Sequence, residues 1–269
     1  MALDAVISGN LTASPPLVLL HGFGGGAYIW KAVMAQLDGV CPVIAYDLPG
    51  HGGSIGDAGT GGAGRMAKSV IADLDRRGVE TFLVAGHSMG GALAAIICLR
   101  HPERVVAASL LAPGGIGASI HHRALRVFAK AQTTGEMRQA MVAMAGPHAP
   151  VSPEAVEHAL ASHRLPGGRE ALTTVLDAIL TRSADEIVQG RLPMDEIATL
   201  PMPVQVMWGD QDGILPFAQS ANLPGNVVLK RIVGAGHMLV DECPVEVSNL
   251  LRDMVSRGRI PRSSISVRD

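Results

Sequence analysis

Aromatic residues are scarce, at 3% of the 269 positions, which leaves little material for a site walled by stacked rings. Charge is thin as well: Asp, Glu, Lys and Arg make up 17%, against about 25% in average proteins. The 22 basic side chains nearly cancel the 24 acidic ones, for a net charge of −2. The basic footprint of a nucleic-acid binder is therefore missing. No apolar run reaches the roughly 18 residues of a membrane span. The opening MALDAVISGN lacks the basic-then-apolar order of a secretory leader. Cysteine is limited to Cys41, Cys98 and Cys243, with no C-x-x-C pair. That excludes a disulfide framework and leads us to expect reduced, partly buried thiols in a cytoplasmic protein.

Apolar residues are what the chain has in quantity, 48% of it, enough for a sizeable core. The length fits one large domain or one domain with an insertion. Strand-length apolar runs occur at 17–20, 42–47, 81–86, 105–113, 203–209 and 227–233. They are continuous instead of alternating, as expected of strands buried on both faces. Helical periods fall between them at 28–37, 64–78, 90–102 and 244–258. The third is alanine-rich and reads as amphipathic, with His101-Pro102 as its stop. This alternation predicts an α/β fold built on a mostly parallel, doubly wound sheet. Sixteen residues precede the first of these runs, room for one strand or a cramped hairpin.

The block 114–200 breaks the rhythm. It shows helical segments only, and Ser152-Pro153-Glu154 has the form of a helix start. We expect a helical cap over the sheet's C-terminal edge, inserted into a core formed by 1–113 and 201–258. The basic, serine-rich stretch 259–269 is expected to be a frayed tail.

Gly86-His87-Ser88-Met89-Gly90 fits G-x-S-x-G, with an apolar strand before it and a helix after it. This nucleophile elbow holds a serine on a strained turn at a helix N-terminus, where the dipole favours developing negative charge. A serine hydroxyl needs a base. Of ten histidines, His237 stands apart: it follows the last predicted strand through a glycine-rich loop at the sheet's C-terminal edge. His121, His122, His148, His158 and His163 lie in the insertion, and His101 ends a helix. The orienting acid should lie between Ser88 and His237, past a strand end. VMWGDQDGILP offers Asp210 and Asp212. Asp212, further out on the loop, is the better placed to reach the imidazole, whereas Asp210 suits a turn-stabilising role. LLAPGGIG, after the preceding strand, carries no competing carboxylate. His21-Gly22-Phe23, with three further glycines, follows a strand and leaves room for backbone N–H groups to face an oxyanion. We assign the donors to Phe23 and Met89. The phosphate cradle is the rival, but the G-K-[ST] of a P-loop is absent.

HGFGGG, DLPGHGGS, GHSMGG, WGDQDGILP and GAGHM together resemble the α/β-hydrolase superfamily, over nearly the whole chain. Within it the chain looks most like the hydrolase-like domain of acetoin dehydrogenase acyltransferase components and like small bacterial esterases. It departs from full acyltransferases in having neither a lipoyl domain nor the H-x-x-x-D-G signature. The resemblance implies a structural role for Asp47 and His51, and a serine carboxylesterase acting through an acyl-enzyme without metal or cofactor. Hydrolysis of a carbon–carbon bond in a diketone, with Arg123 or Arg126 as cation, and a non-catalytic partner or binding module are the alternatives. The partner expected is a small-molecule substrate, with no nucleic acid and no membrane, and a homodimer is left open. His121, His122, Phe128 and Met238 are the substrate-contact candidates. Met137, Met141, Met144, Leu125, Val127 and Leu180 would give the cap an aliphatic lining suited to acetyl to butyryl groups, although core packing competes for each.

Overall fold

The computed structural model describes residues 2–147 and 149–258. His148 and the tail 259–269 lie outside the described residues. Five strands come first: β1 (Ala5–Ser8), β2 (Leu17–Leu20), β3 (Val43–Tyr46), β4 (Phe82–His87) and β5 (Val105–Leu111). A separate antiparallel hairpin, β6 (Leu180–Ser183) and β7 (Glu186–Gln189), precedes β8 (Val204–Gly209) and β9 (Val228–Ile232). The main sheet has seven strands in the order β1-β3-β2-β4-β5-β8-β9, with β1 antiparallel and the rest parallel. The space before β2 thus holds a single edge strand. Asp73 anchors the segment leading into it, accepting the Leu3 N–H and the Tyr46 hydroxyl and pairing with Arg76 and Arg77.

Helices cover both faces. A 3₁₀ turn, Ala27–Trp30, runs into α1 (Lys31–Gln36), followed by α2 (Ala63–Arg76) and α3 (Met89–Arg100). The amphipathic face is on α2, which packs Met66, Val70 and Leu74 inward. By contrast, α3 is buried on nearly all sides, because α2 covers its outer surface. Apolar alanines all round it were the sign of a central helix. Strand β9 also departs from expectation. It forms the open edge, with Val228 58% exposed and Lys230 and Arg231 facing outward. Charges of this kind discourage edge-to-edge pairing.

Segment 114–200 contains α4 (His122–Lys130), α5 (Thr134–Val142), α6 (Pro153–Arg164), α7 (Gly168–Ile179) and the short α8 (Met194–Ile197). The described residues end with α9 (Leu239–Glu242) and α10 (Pro244–Gly258). The β6–β7 hairpin corrects the expectation of an all-helical block. Its turn places Ala184 at φ 52°, a left-handed position that Gly or Asn would ordinarily mark. The sequence therefore carries no hairpin signal there, and LTRS reads as a continuation of α7.

Register decides where the loops emerge. Leu20 of β2 lies opposite Gly86 of β4, His87 opposite Leu111, Leu111 opposite Met207, and Gly209 opposite Ile232. The loops after β2, β4, β8 and β9 consequently leave the sheet at one level. In parallel sheets that carboxyl edge is where ligand sites form.

Candidate active site

Ser88 joins β4 to α3 with φ 54° and ψ −115°, a strained conformation for a residue with a side chain. Both motif glycines are required by close approach. A methyl group on Gly86 would overlap the Gly90 carbonyl, and one on Gly90 would overlap the Leu20 carbonyl. The Ser88 amide donates to the Leu111 carbonyl, which holds the turn to β5.

From the elbow, Ser88 Oγ lies 2.9 Å from His237 Nε2, and His237 Nδ1 lies 2.8 Å from Asp212 Oδ2. Asp212 is buried and fully engaged. Its Oδ1 accepts the Ile214 and Leu215 amides at 2.8 Å, and Trp208 Nε1 donates to Oδ2 at 3.1 Å. Burial pushes this carboxyl's pKa up, but His237 and the amide donors outweigh it and hold the group below its ordinary value. The carboxylate is thus kept ionised where it can accept the imidazole N–H. Asp210 points elsewhere: it pairs with Arg231 and accepts the Gly234 amide, tying the loop after β8 to the one after β9.

The loop after β2 is held by neutral histidines. His51 Nε2 accepts the Gly24 amide and His21 Nε2 accepts the Leu48 amide. Asp47 takes the Ala27 and Gly53 amides. His51 and Asp47 therefore bind backbone, away from the Ser88–His237 pair. Among the described residues the Phe23 amide has no acceptor, and Met89, the first residue of α3, has a free amide as helix starts do. Both flank Ser88 in the larger cavity.

Burial is the largest influence on three imidazoles, lowering His21 to about 4 and His51 and His87 to about 3, from 6.5. Above pH 6.5 these rings are neutral whether the chain is folded or not, and their contribution to stability is intact. Below it the unfolded chain takes up protons that the folded one refuses, so stability falls as pH drops toward 4. The three protons together give a slope of about 4 kcal/mol per pH unit, and Asp241, lifted by burial to about 6 and so protonated first in the folded chain, offsets about a third of it. Urea midpoints measured from pH 7 to 5 should decline steeply; a flat curve would contradict the buried neutral state.

Glu242 was not legible in the sequence as a site residue. Its carboxylate accepts the amides on both sides of His237, Gly236 at 2.7 Å and Met238 at 2.9 Å, and also that of Gly146. The His237 amide itself donates to the Met144 carbonyl. Gln189, in β7, is the other omission: it accepts the Gly115 amide and donates to the Gly117 and Ser119 carbonyls, bracing the loop after β5. Trp208, as the indole partner of Asp212, is the third.

Two cavities meet at Ser88. Phe128 and Met238 line the smaller one, as do Met141 and Met144, and Leu125 borders both. His121 and His122 line neither of them. His121 Nδ1 accepts the Ala124 amide and caps α4, a task usually met by Ser or Asp. His122 lines a separate open depression with Arg123 and Arg182. Met137 is core, and Val127 is 57% exposed.

Residues 17–250 match the model of the Alpha/beta hydrolase family. The chain belongs to that family. It is 31% identical over 236 residues to the dihydrolipoyllysine-residue acetyltransferase component of the acetoin cleaving system of Cupriavidus necator, covering 88% of this chain. The chain spans 62% of that relative's length. A meta-cleavage product hydrolase from Pseudomonas fluorescens IP01 superposes with a TM-score of 0.79 at 20% identity, covering 94% of this chain and 93% of its own. A thermophilic esterase from Thermogutta terrifontis superposes with a TM-score of 0.74 at 22% identity, over 96% and 94%. These likenesses show the alpha/beta hydrolase fold. Among the described residues no helix is long and apolar enough to cross a membrane.

Proposed function

We propose that this alpha/beta hydrolase is a serine carboxylesterase for small aliphatic esters, working through an acyl-enzyme on Ser88. The observation that carries the reading is the continuous line from Ser88 Oγ through His237 to the buried Asp212, beginning on a strained elbow that faces a cavity. His237 Nε2 takes the Ser88 proton as Oγ attacks the ester carbonyl. The Phe23 and Met89 amides receive the oxyanion, and Asp212 stabilises the imidazolium. Collapse breaks the bond to the alcohol, whose oxygen leaves with the proton from His237. Water repeats the cycle on the acyl group and frees the acid and Ser88. The segment 114–200 acts as a cap, since Leu125, Phe128, Met141 and Ile179 wall the two cavities.

The test is labelling with a fluorophosphonate followed by turnover of methyl butyrate. An adduct mapped to Ser88 together with ester hydrolysis supports the reading; labelling that survives in Ser88→Ala ends it. Labelling of Ser88 without turnover of any ester would favour the carbon–carbon hydrolase reading, which the likeness to the Pseudomonas fluorescens meta-cleavage product hydrolase keeps in view. That reading loses its expected cations, because Arg126 pairs with Asp177 and Arg123 lies outside both cavities. It would have to use Arg191, at the larger cavity. A chain that binds without reacting, as a module of a larger acetoin-type assembly would, predicts no labelling at all.

Glu242 acts here as a positioning residue for the base. In Glu242→Gln an amide NH₂ would face backbone donors, and the His237 loop would shift. Misplacement by about 1 Å can cost on the order of 10²-fold in rate, so kcat should fall toward that extent while KM changes little. An unchanged kcat in a folded variant would remove the role.

A further inference from the structure

The two cavities at Ser88 share different parts of the site. The larger, about 230 Å³, borders Met89, Ala92 and Ile96 of α3 and does not reach His237. The smaller, about 40 Å³, borders His237 and the Gly22–Gly25 turn and does not reach Met89. Phe23, Leu125 and Ser88 line both. During acyl transfer the departing oxygen must sit within hydrogen-bond reach of the imidazole that protonates it. The alcohol is therefore directed into the cavity that His237 borders, and the acyl chain into the one that it does not.

We propose that the two cavities sort the ester by its halves: an aliphatic acyl chain of about four to six carbons in the larger, and an alcohol of about one or two carbons in the smaller. The inference rests on the acyl-enzyme reading above and adds the substrate class. The sizes carry it. A cavity of about 150 Å³ takes benzene, whereas about 10–15 Å³ of such space admits one water. The larger space thus holds a six-carbon chain, and the smaller, at about 40 Å³, holds roughly three water-sized groups, the size of a one- or two-carbon alcohol. On α3, Ala92 and Ile96 are four residues apart and present one face to the acyl side. On the alcohol side Phe128 closes the slot. Its ring lies so close to Gly24 that a methyl group there would overlap it, with Phe23 6.3 Å and His163 5.2 Å from it, centroid to centroid. Packed between these neighbours, the ring bounds the slot where a longer alcohol would extend.

Methyl hexanoate and pentyl acetate are isomers that place the long chain on opposite sides of the reacting carbonyl. The expected result is a kcat/KM for methyl hexanoate at least about 10-fold above that for pentyl acetate, within the 10–200-fold range of apolar pocket discrimination. Phe128→Ala should narrow the ratio by raising pentyl acetate, and Ala92→Leu should narrow it by lowering methyl hexanoate. Should Phe128→Ala fail to fold, Met141→Ala opens the same slot and carries the same expectation. Equal or reversed preference in the wild type, with Ser88 labelled by fluorophosphonate, would overturn the assignment of halves and leave the acyl-enzyme reading standing. So would an opened slot that fails to raise pentyl acetate. Neither ester hydrolysed and Ser88 unlabelled would overturn both readings; neither hydrolysed with Ser88 labelled would overturn the ester-sorting assignment.

Discussion

Ser88→Ala is expected to lower kcat by about 10⁶-fold, the scale seen when a serine hydrolase loses its nucleophile. Residual rates of about 10³–10⁴ over water should remain, supplied by substrate binding and the Phe23 and Met89 amides. The substitution removes one hydroxyl and leaves the Ser88 backbone contacts with Leu111 and Gly114 in place. A folded, thermally stable variant without turnover and without a fluorophosphonate adduct is therefore the predicted outcome. Turnover within tenfold of wild type would show that another group carries the chemistry.

Asp212→Asn should cost about 10⁴-fold in kcat with the fold retained. The reason lies in the donors around the carboxylate. The Ile214 and Leu215 amides require an acceptor at Oδ1, so an asparagine oxygen would settle there. Its NH₂ would then face the Trp208 indole N–H and His237 Nδ1. His237 could answer only by accepting at Nδ1, which puts its proton on Nε2, where Ser88 needs a vacant lone pair. Asp210→Asn is the contrast: it weakens the Arg231 pairing and should reduce thermal stability while leaving turnover near wild type. Steady-state kinetics and thermal melts of both variants decide the matter. Inactive, folded Asp210→Asn beside active Asp212→Asn would reverse the assignment.

The parts of the site that were readable from sequence are those carried by local chemistry. A serine flanked by glycines between strand and helix, a histidine on a glycine-rich loop after a late strand, and an acid past a strand end each carry their context within about ten residues. Parallel strands then bring the loops together by register, so alternation of strand and helix was enough to predict a shared edge. What escaped depends on distant partners. Glu242 looks like an ordinary acid at a helix start until Gly146, 96 positions earlier, is folded against it. Gln189 sits in a hairpin whose Ala184 turn lacks the usual glycine or asparagine. His121 and His122 lie outside both cavities because adjacency to a strand end says nothing of direction: the loop after β5 carries them into a separate depression. The exposure of β9 was equally hidden, since an edge strand and a central one can share the same apolar run.

The clamp formed by Glu242 has a mechanical consequence. One carboxylate holds the backbone on either side of the histidine and, with the same oxygens, a corner of the insertion; the Met144 carbonyl adds a second stitch at the imidazole's own residue. A molecule that swings this corner outward must break both attachments and so releases its base. Opening at that corner and being armed for reaction are therefore exclusive states. On the acyl-enzyme reading proposed above, ester and product would therefore pass by another flank, with the corner at Gly146 held in place.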